Sequence, residues 1–187
     1  MPIQLETTQL HGEDETTAIA QRSVAGVLEI INGFILARDN GRMDALASIA
    51  DRVYASGAQV FQSQEFVTSE NLGPSSFLYV LEFLYSELGQ GQEALQPLQV
   101  CHIYAHRPDP DNPNTVEWLM TTHTVVPGYG PMLVTAAMTA ENMTDGWRVT
   151  YHDYADDPAP GEDCSGARAA TVHQEWLCRV EPNGDNC

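Results

Sequence analysis

Apolar residues recur at helical spacing in two stretches near the start of the chain. Between residues 18 and 38 they fall three or four positions apart, and the turn sequence Asp39-Asn40-Gly41 then gives a strong helix stop. A shorter run with the same spacing covers residues 43–49. Residues 53–61 have extended character and are interrupted at Gly57, so they predict a strand or a bent strand pair.

The clearest helical pattern lies in the middle of the chain, over residues 74–88. Pro74 stands where a helix tolerates proline, and Gly89 closes the segment. An apolar stripe between them consists of Phe77, Val80, Leu81, Leu84 and Leu88. A third helix is therefore predicted here, with Tyr79 as a candidate for lining a pocket.

Beyond residue 97 the pattern is that of strands separated by turns rich in proline, glycine, asparagine and aspartate. The predicted strands are 98–107, 115–126, 132–141 and 147–154. Three helices followed by a strand meander predict an α+β domain with helices on one face of an antiparallel sheet. We expect this domain to span 15–157, after a loosely ordered segment 1–14. The tail 158–187 carries Trp176, which favours a flap over the domain.

Side-chain alternation assigns the candidate residues to strand faces. In the first long strand one face carries Leu98, Val100, His102, Tyr104 and His106, and in the next it carries Glu117, Leu119, Thr121, His123 and Val125. In the last strand Trp147, Val149, Tyr151 and Asp153 share a face, opposite Arg148, Thr150, His152 and Tyr154. Because Trp147 and Val149 are apolar, Asp153 is expected to point inward and His152 away, unless a bulge intervenes.

Charge excludes several classes of function. Twenty-six acidic residues outnumber eight basic ones, and the formal charge of −18 would repel nucleic acid and anionic membranes. The chain contains no lysine, which removes Schiff-base chemistry and the lysine of phosphate-binding loops. No apolar run approaches the roughly 18 residues of a membrane helix, and the first residues do not resemble a secretion signal. The sequence thus predicts a soluble, cytoplasmic protein.

The cysteines leave the redox state open. Cys101 lies in a strand pattern and is expected to be a buried, inert thiol. Cys164, Cys178 and Cys187 crowd the last 24 residues without the CxxC spacing of a structural zinc site. A disulfide in this tail would require an oxidising compartment.

The ending Asp145-Gly146-Trp147 through Tyr151-His152-Asp153-Tyr154-Ala155-Asp156 resembles that of the nuclear transport factor 2-like superfamily, and within it the SnoaL-like proteins. The resemblance covers roughly residues 15 to 157 and rests on the element order and this final motif. It implies a cone-shaped α+β barrel with a central apolar pocket. It also implies a homodimer, since members commonly pair through their sheets.

Subfamilies of this superfamily match the chain to different degrees. Ketosteroid isomerases have a tyrosine and an aspartate base where this chain has Phe34 and about Gly57, which disfavours that activity. Limonene epoxide hydrolases resemble it only at Asp153. Scytalone dehydratase has two strand histidines and a tyrosine that His102, His123 and Tyr54 resemble, although its first-helix aspartate finds only Asn32 nearby.

The leading hypothesis is a cofactor-independent lyase or isomerase of dehydratase or cyclase type. A histidine with an ordinary pKa of about 6.5 exchanges a proton near neutral pH, and a carboxylate fixes its tautomer. The predicted catalytic residues are His102, His123, Asp153 and Tyr54, and the predicted substrate-binding residues are Tyr104, Tyr151, Trp118, Met120 and Tyr79. The ligand would be an apolar small molecule of polyketide or terpenoid type.

Two alternatives remain open: a non-catalytic ligand-binding or assembly domain, and an epoxide hydrolase. A cavity filled by Trp118, Met120, Met132 or Met138 would favour the non-catalytic binding or assembly domain. A metal site from the strand histidines is disfavoured, because strand residues four apart lie about 13 Å apart. His106, beside a proline-rich turn, is expected to be exposed.

Overall fold

The computed structural model describes residues 10–11, 14–36, 43–62, 65–66, 96–126, 130–180 and 182–183. The predicted helix over 74–88, including Tyr79, lies outside these residues. The helices are α1 (Asp14–Leu36), α2 (Met43–Val53) and α3 (Ala167–Val180). The strands are β1 (Leu10–His11), β2 (Tyr54–Gln62), β3 (Glu65–Phe66), β4 (Gln99–His106), β5 (Thr115–Val126), β6 (Gly130–Met143) and β7 (Gly146–Pro160).

The sheet has the strand order β1-β4-β5-β6-β7-β2-β3. Neighbours pair antiparallel except β1 with β4 and β2 with β7, so the sheet is mixed where the sequence predicts an antiparallel one. The two outermost strands in this order do not pair with each other among the described residues, which leaves the barrel open. The α+β architecture with helices packed on a sheet is confirmed.

The main core lies between the sheet and the first two helices, on what we call the helix-side face. Its strand residues include Val116, Trp118, Met120, Ala136, Met138, Ala140 and Val149. Helix α1 supplies the largest share of the helical side chains, among them Val24, Val27, Leu28 and Ile31. The window Glu15–Ile35 has a mean hydropathy of 1.2 and is half buried in the protein. By length and composition it could cross a membrane, but here it is the core helix.

The opposite side of the sheet, which we call the outer face, is covered by α3. Val172 and Trp176 of this helix pack on Tyr104 of β4 and Leu119 of β5. Helix α3 therefore lies over the sheet on the side away from α1 and α2. This placement decides which predicted site residues the helix can cover.

A bulge in β4 changes the faces that alternation predicts. Val100 pairs with Thr122 but His102 pairs with Thr121, so Cys101 is an extra residue. Leu98 and Val100 consequently pack in the helix-side core, whereas Tyr104 packs under α3 on the outer face. Alternation predicts that Leu98, Val100 and Tyr104 share a face with His102. This prediction is wrong for Leu98 and Val100.

A second bulge, at Thr150 in β7, has the same effect. Val149 pairs with Ala140 and Tyr151 with Thr139, which leaves Thr150 without an opposite residue. His152, opposite Met138, therefore lies on the helix side with Val149, and Asp153 lies on the outer face. The expectation that Asp153 points toward the helices and His152 away is wrong, although both side chains are buried.

The first bulge also places Cys101 for a covalent link. Its sulfur is bonded to that of Cys164, across a sequence separation of 63 residues and a Cα distance of 5.2 Å. Cys101 is buried as expected, next to Leu133, but it is not a free thiol. Cys178 is disulfide-bonded as well. The disulfide Cys101–Cys164 ties the segment before α3 to the outer face of the sheet.

Candidate functional site

The helix-side face contains a buried pair formed by Tyr54 and His152. The Tyr54 hydroxyl lies 2.7 Å from His152 Nδ1, and the rings are stacked with centroids 6.0 Å apart. Burial raises the pKa of Tyr54 well above its ordinary value and lowers the pKa of His152 to about 3. Both groups are therefore neutral near pH 7, and we assign the hydroxyl as donor to the imidazole Nδ1.

Large buried apolar side chains flank this pair on the helix-side face of the sheet. The register aligns Trp118, Met138, His152 and Val60 in one row across β5, β6, β7 and β2. All four are at most 2% exposed, as is Met120. The predicted substrate-binding residues Trp118 and Met120 are thus core residues of the helix-side face, which is the arrangement expected of a scaffold.

Asn32 on α1 has a structural contact. Its Nδ2 donates to the Leu98 carbonyl at 3.1 Å, and its Oδ1 accepts from the Leu98 amide at 2.8 Å. This two-point contact joins α1 to the chain just before β4. The amide of Asn32, which stands near the position of the first-helix aspartate in scytalone dehydratase, is therefore used on the backbone.

Most of the predicted site residues lie on the outer face, where register places them on three levels. The upper level holds His102 and Thr121, the middle level Tyr104, Leu119, Ala137 and Asp153, and the lower level His106, Glu117, Thr139 and Tyr151. Trp176 and Val172 cover the middle level. The predicted residues are therefore divided between two sides of the sheet, with Tyr54, Trp118 and Met120 on the other side.

His102 and His123 are diagonal neighbours on the outer face, since His102 pairs with Thr121 two residues before His123. Such neighbours are roughly 7–8 Å apart between Cα atoms. His102 Nδ1 is hydrogen-bonded to Thr121 Oγ1 at 3.2 Å, and its ring stacks on Tyr104 with centroids 5.7 Å apart. Burial raises the pKa of Tyr104, which keeps its hydroxyl protonated.

Asp153 does not join the two histidines. It stands on β7, three strands from Tyr104 on β4, and three strand spacings amount to about 14 Å. A carboxylate that interacts electrostatically with His123 is Asp163, whose pKa is lowered by hydrogen bonds from Ser165 and, to a smaller extent, by His123. The predicted set His102, His123 and Asp153 is thus not assembled around one point.

The lower level of the outer face borders a cleft of about 350 Å³, which we call the outer cleft. Its walls include His106, Pro108, Glu117, Thr139, Tyr151 and Trp176. His106 Nε2 lies 3.2 Å from Glu117 Oε2, and the His106 ring meets Trp176 edge to face at 82°, with centroids 5.5 Å apart. Because a carboxylate only accepts, the Nε2 atom carries the proton and donates to Glu117.

Sequence reasoning predicted only Tyr151 among the polar groups of this cleft. His106 was expected to be exposed, but its side chain is 23% exposed and that of Glu117 is 34%. The register of β4 with β5 brings the pair together, and α3 supplies the roof. A sequence signal existed in the imidazole and the carboxylate near the two ends of the connecting turn, but using it requires the register across that turn, which the sequence pattern does not provide.

A metal centre finds no support in the described part of the chain. No group of three or more histidine, cysteine, aspartate or glutamate side chains is placed there to hold an ion. His102, His106 and His123 accordingly do not form one. The outer cleft instead offers a proton-carrying imidazole, a carboxylate, hydroxyls and two aromatic rings.

No known family model matches the sequence, and no curated protein is detectably similar. Solved structures do match the fold. The Kfla4162 protein from Kribbella flavida aligns with a TM-score of 0.52 and 11% identity, over 81% of this chain and 95% of that one. Aln2 from a Streptomyces species gives 0.51 and 12%, over 79% and 95%. The C. albicans Mtr2–Mex67 M domain complex gives 0.52 and 10%, over 80% and 100%.

Proposed function

We propose that this chain, whose fold is the nuclear transport factor 2-like fold, is a protein that binds a small organic molecule in the outer cleft. The observation that carries the proposal is the composition of that cleft. A hydrogen-bonded imidazole and carboxylate stand beside Tyr151 under the indole of Trp176. Small-molecule sites are typically concave, mostly apolar and equipped with a few convergent polar groups.

The packing of the helix-side face supports the same choice. Trp118, Met120 and Met138 occupy the space there that the resemblance assigns to a pocket, and the Tyr54–His152 pair is at most 1% exposed. The outer cleft, by contrast, has a volume of about 350 Å³, near the lower end of the range for small ligands. A ligand of modest size fits it without any rearrangement of the core.

A cleft-filling substitution tests this proposal. Thr139 is a half-buried strand residue on the wall of the outer cleft, so Thr139→Trp places an indole in the space for a ligand. Binding of a library of small organic compounds would be compared for the natural chain and this variant by calorimetry. The matched control is Val125→Trp, on the outer face of β5 but eight residues beyond Glu117, about 26 Å away.

We expect compounds that bind the natural chain to lose at least tenfold in affinity for Thr139→Trp and to keep their affinity for Val125→Trp. Compounds that bind all three proteins equally would place the ligand site elsewhere. Circular dichroism of the variants checks that the sheet remains folded.

A lyase or isomerase of dehydratase or cyclase type is the second candidate, and the His106–Glu117 pair favours it. The carboxylate holds Nε2–H, which leaves Nδ1 as the nitrogen that exchanges a proton with a substrate. Tyr151, on the same level, would polarise a carbonyl. A polyketide- or terpenoid-like ketone with an acidic α-hydrogen is the corresponding substrate class.

Proton abstraction can be measured before the natural substrate is known. Cyclic ketones would be incubated with the protein in deuterated water, and deuterium uptake at the α-carbon followed by mass spectrometry. The natural chain should accelerate the exchange, and His106→Gln should reduce it at least a hundredfold, the usual size of general-base catalysis. Equal exchange rates for both proteins would exclude this activity in the outer cleft. His102→Gln is the control, because it changes a histidine of the site that the sequence predicts and should leave the exchange rate unchanged.

A further inference from the structure

The charges around the outer cleft indicate the kind of ligand it takes. Among the wall residues that the structure describes, Glu117 is the one carboxylate and none is an arginine. Arg107, which follows His106 in the sequence, binds to α1 instead. Its Nη2 lies 3.1 Å from Glu15 Oε2, and its Nε lies 3.1 Å from Thr16 Oγ1. No fixed positive charge therefore balances Glu117 among the described residues of the cleft wall.

Aromatic rings supply the second element. Trp176 and Tyr151 stand on the same cleft as Glu117, and the indole is the ring that attracts cations most strongly. A carboxylate beside two aromatic rings recognises an ammonium group that also carries apolar substituents. The formal charge of −18 over the whole chain adds a field that favours cations and opposes anions.

We infer that the outer cleft selects an organic cation, an alkylated ammonium group held between Glu117 and the rings of Trp176 and Tyr151. The inference rests on the proposed function, since it requires the outer cleft to bind a ligand at all. It narrows the ligand from a small organic molecule to one with a positive charge and a compact apolar shell.

The probe pair for this inference is choline and 3,3-dimethyl-1-butanol. The two molecules have nearly the same shape, but a quaternary nitrogen in the first is replaced by a neutral carbon in the second. Binding would be followed in heteronuclear spectra through the indole N–H signals of the three tryptophans, with the Trp176 signal assigned by its loss in Trp176→Phe. Trp118, which is fully buried on the helix side, serves as an internal reference.

We expect choline to shift the Trp176 signal and to bind at least tenfold more tightly than the neutral alcohol. Glu117→Gln should remove most of that difference. The matched control is Glu29→Gln, which neutralises an exposed glutamate of α1 on the other side of the sheet and should change the affinity less than twofold. His106→Gln should bind choline at least as tightly as the natural chain, because the imidazole is a competing partner of Glu117.

Three results would overturn the inference. The alcohol could bind as tightly as choline while Thr139→Trp abolishes both, in which case the outer cleft is a ligand site without preference for cations. Choline could fail to bind the natural chain, or bind Thr139→Trp equally well, and then the compound library alone decides whether the outer cleft is a ligand site. A tenfold loss in His106→Gln would show that the imidazole, rather than Glu117, holds the ligand.

Discussion

The buried Tyr54–His152 pair shows how a single hydrogen bond can be both neutral and costly to break. A hydroxyl donates to a ring nitrogen at 2.7 Å, with neither side chain more than 1% exposed. Removing the donor leaves a buried nitrogen acceptor without that bond, and such a loss usually costs about 1–3 kcal/mol. The pair therefore fixes the position of β2 against β7 without charge.

Tyr54→Phe should lower the free energy of unfolding by about 1–3 kcal/mol, because it removes the hydroxyl and keeps the ring. Urea denaturation followed by circular dichroism measures the change. Tyr151→Phe is the matched control, since Tyr151 is only half-buried, beside the outer cleft. An equal effect of both substitutions would mean that the Tyr54 hydroxyl contributes nothing special.

The low pKa of His152 makes the stability of the fold depend on pH. In the folded chain the imidazole binds a proton only near pH 3, whereas in the unfolded chain it does so near 6.5. Between these values the unfolded state holds the extra proton, so the free energy of unfolding falls as the pH falls, by up to about 1.4 kcal/mol per pH unit.

His152→Gln removes this titration and keeps a side chain that can accept from Tyr54. Denaturation curves recorded at several values between pH 6.5 and 3 should show a steeper loss of stability for the natural chain than for the variant, by about one proton. Parallel slopes for the two proteins would show that the folded chain protonates His152 as readily as the unfolded chain does.

At the scale of elements, most of the fold could be predicted from the sequence. Helical spacing gave α1 and α2, and period-two patterns between turns gave β4 to β7 within a few residues, except that β7 continues to Pro160. These signals are local, so they can be recognised without knowledge of the tertiary structure. The short β1 and β3 exist only through pairing with other strands and have no such local signal.

The faces of the strands could not be predicted, because two bulges reverse them. Alternation assigns faces correctly only while each residue has one partner, and Cys101 and Thr150 each break that rule. Nothing in either local sequence, such as a glycine, announces the extra residue. For this reason His102 and Asp153 lie on the outer face instead of toward the helices, and the pairing of His106 with Glu117 follows from cross-strand register alone.

The link between β4 and the segment before α3 depends on the disulfide Cys101–Cys164. Closing a loop of 63 residues in the unfolded chain is worth about 4 kcal/mol in the chain-entropy model. Replacing both cysteines by alanine should therefore lower the free energy of unfolding by a few kcal/mol. A reducing agent should destabilise the natural chain strongly and the double variant much less, the remainder coming from the disulfide of Cys178. Equal sensitivity of both proteins to the reducing agent would contradict this.

At the scale of the whole molecule, the disulfides and the sequence pattern predict different cellular compartments. Disulfides persist in oxidising compartments, whereas the sequence pattern predicts a cytoplasmic protein. Alkylation of free thiols in intact cells, completed under denaturing conditions because Cys101 is buried, distinguishes the two. A protein in an oxidising compartment should carry no label on Cys101 or Cys164, and a cytoplasmic one should carry it on both. The localisation stays a prediction until that measurement.

The covering of both sheet faces argues against pairing of two chains through their sheets. Helices α1 and α2 occupy one face, and Val172 and Trp176 of α3 occupy the middle of the other, over Tyr104 and Leu119. A sheet-to-sheet homodimer, as the resemblance implies, would have to displace α3, which the disulfide Cys101–Cys164 holds in place. We therefore expect sedimentation at the monomer mass of 20.5 kDa.

The variant Val172→Asp with Trp176→Asp tests that explanation, because it makes α3 unable to pack on Tyr104 and Leu119. With the apolar patch uncovered, the chain should associate at micromolar concentrations while the natural chain remains monomeric, and the same substitutions should open the outer cleft and abolish binding there. The control Arg168→Gln changes α3 at an ion pair with Glu175 and leaves the apolar contacts intact. The contrary result is a natural chain that sediments as a dimer and a double variant that has the same mass. Two copies would then meet through a different surface, and α3 would cover the sheet without controlling assembly.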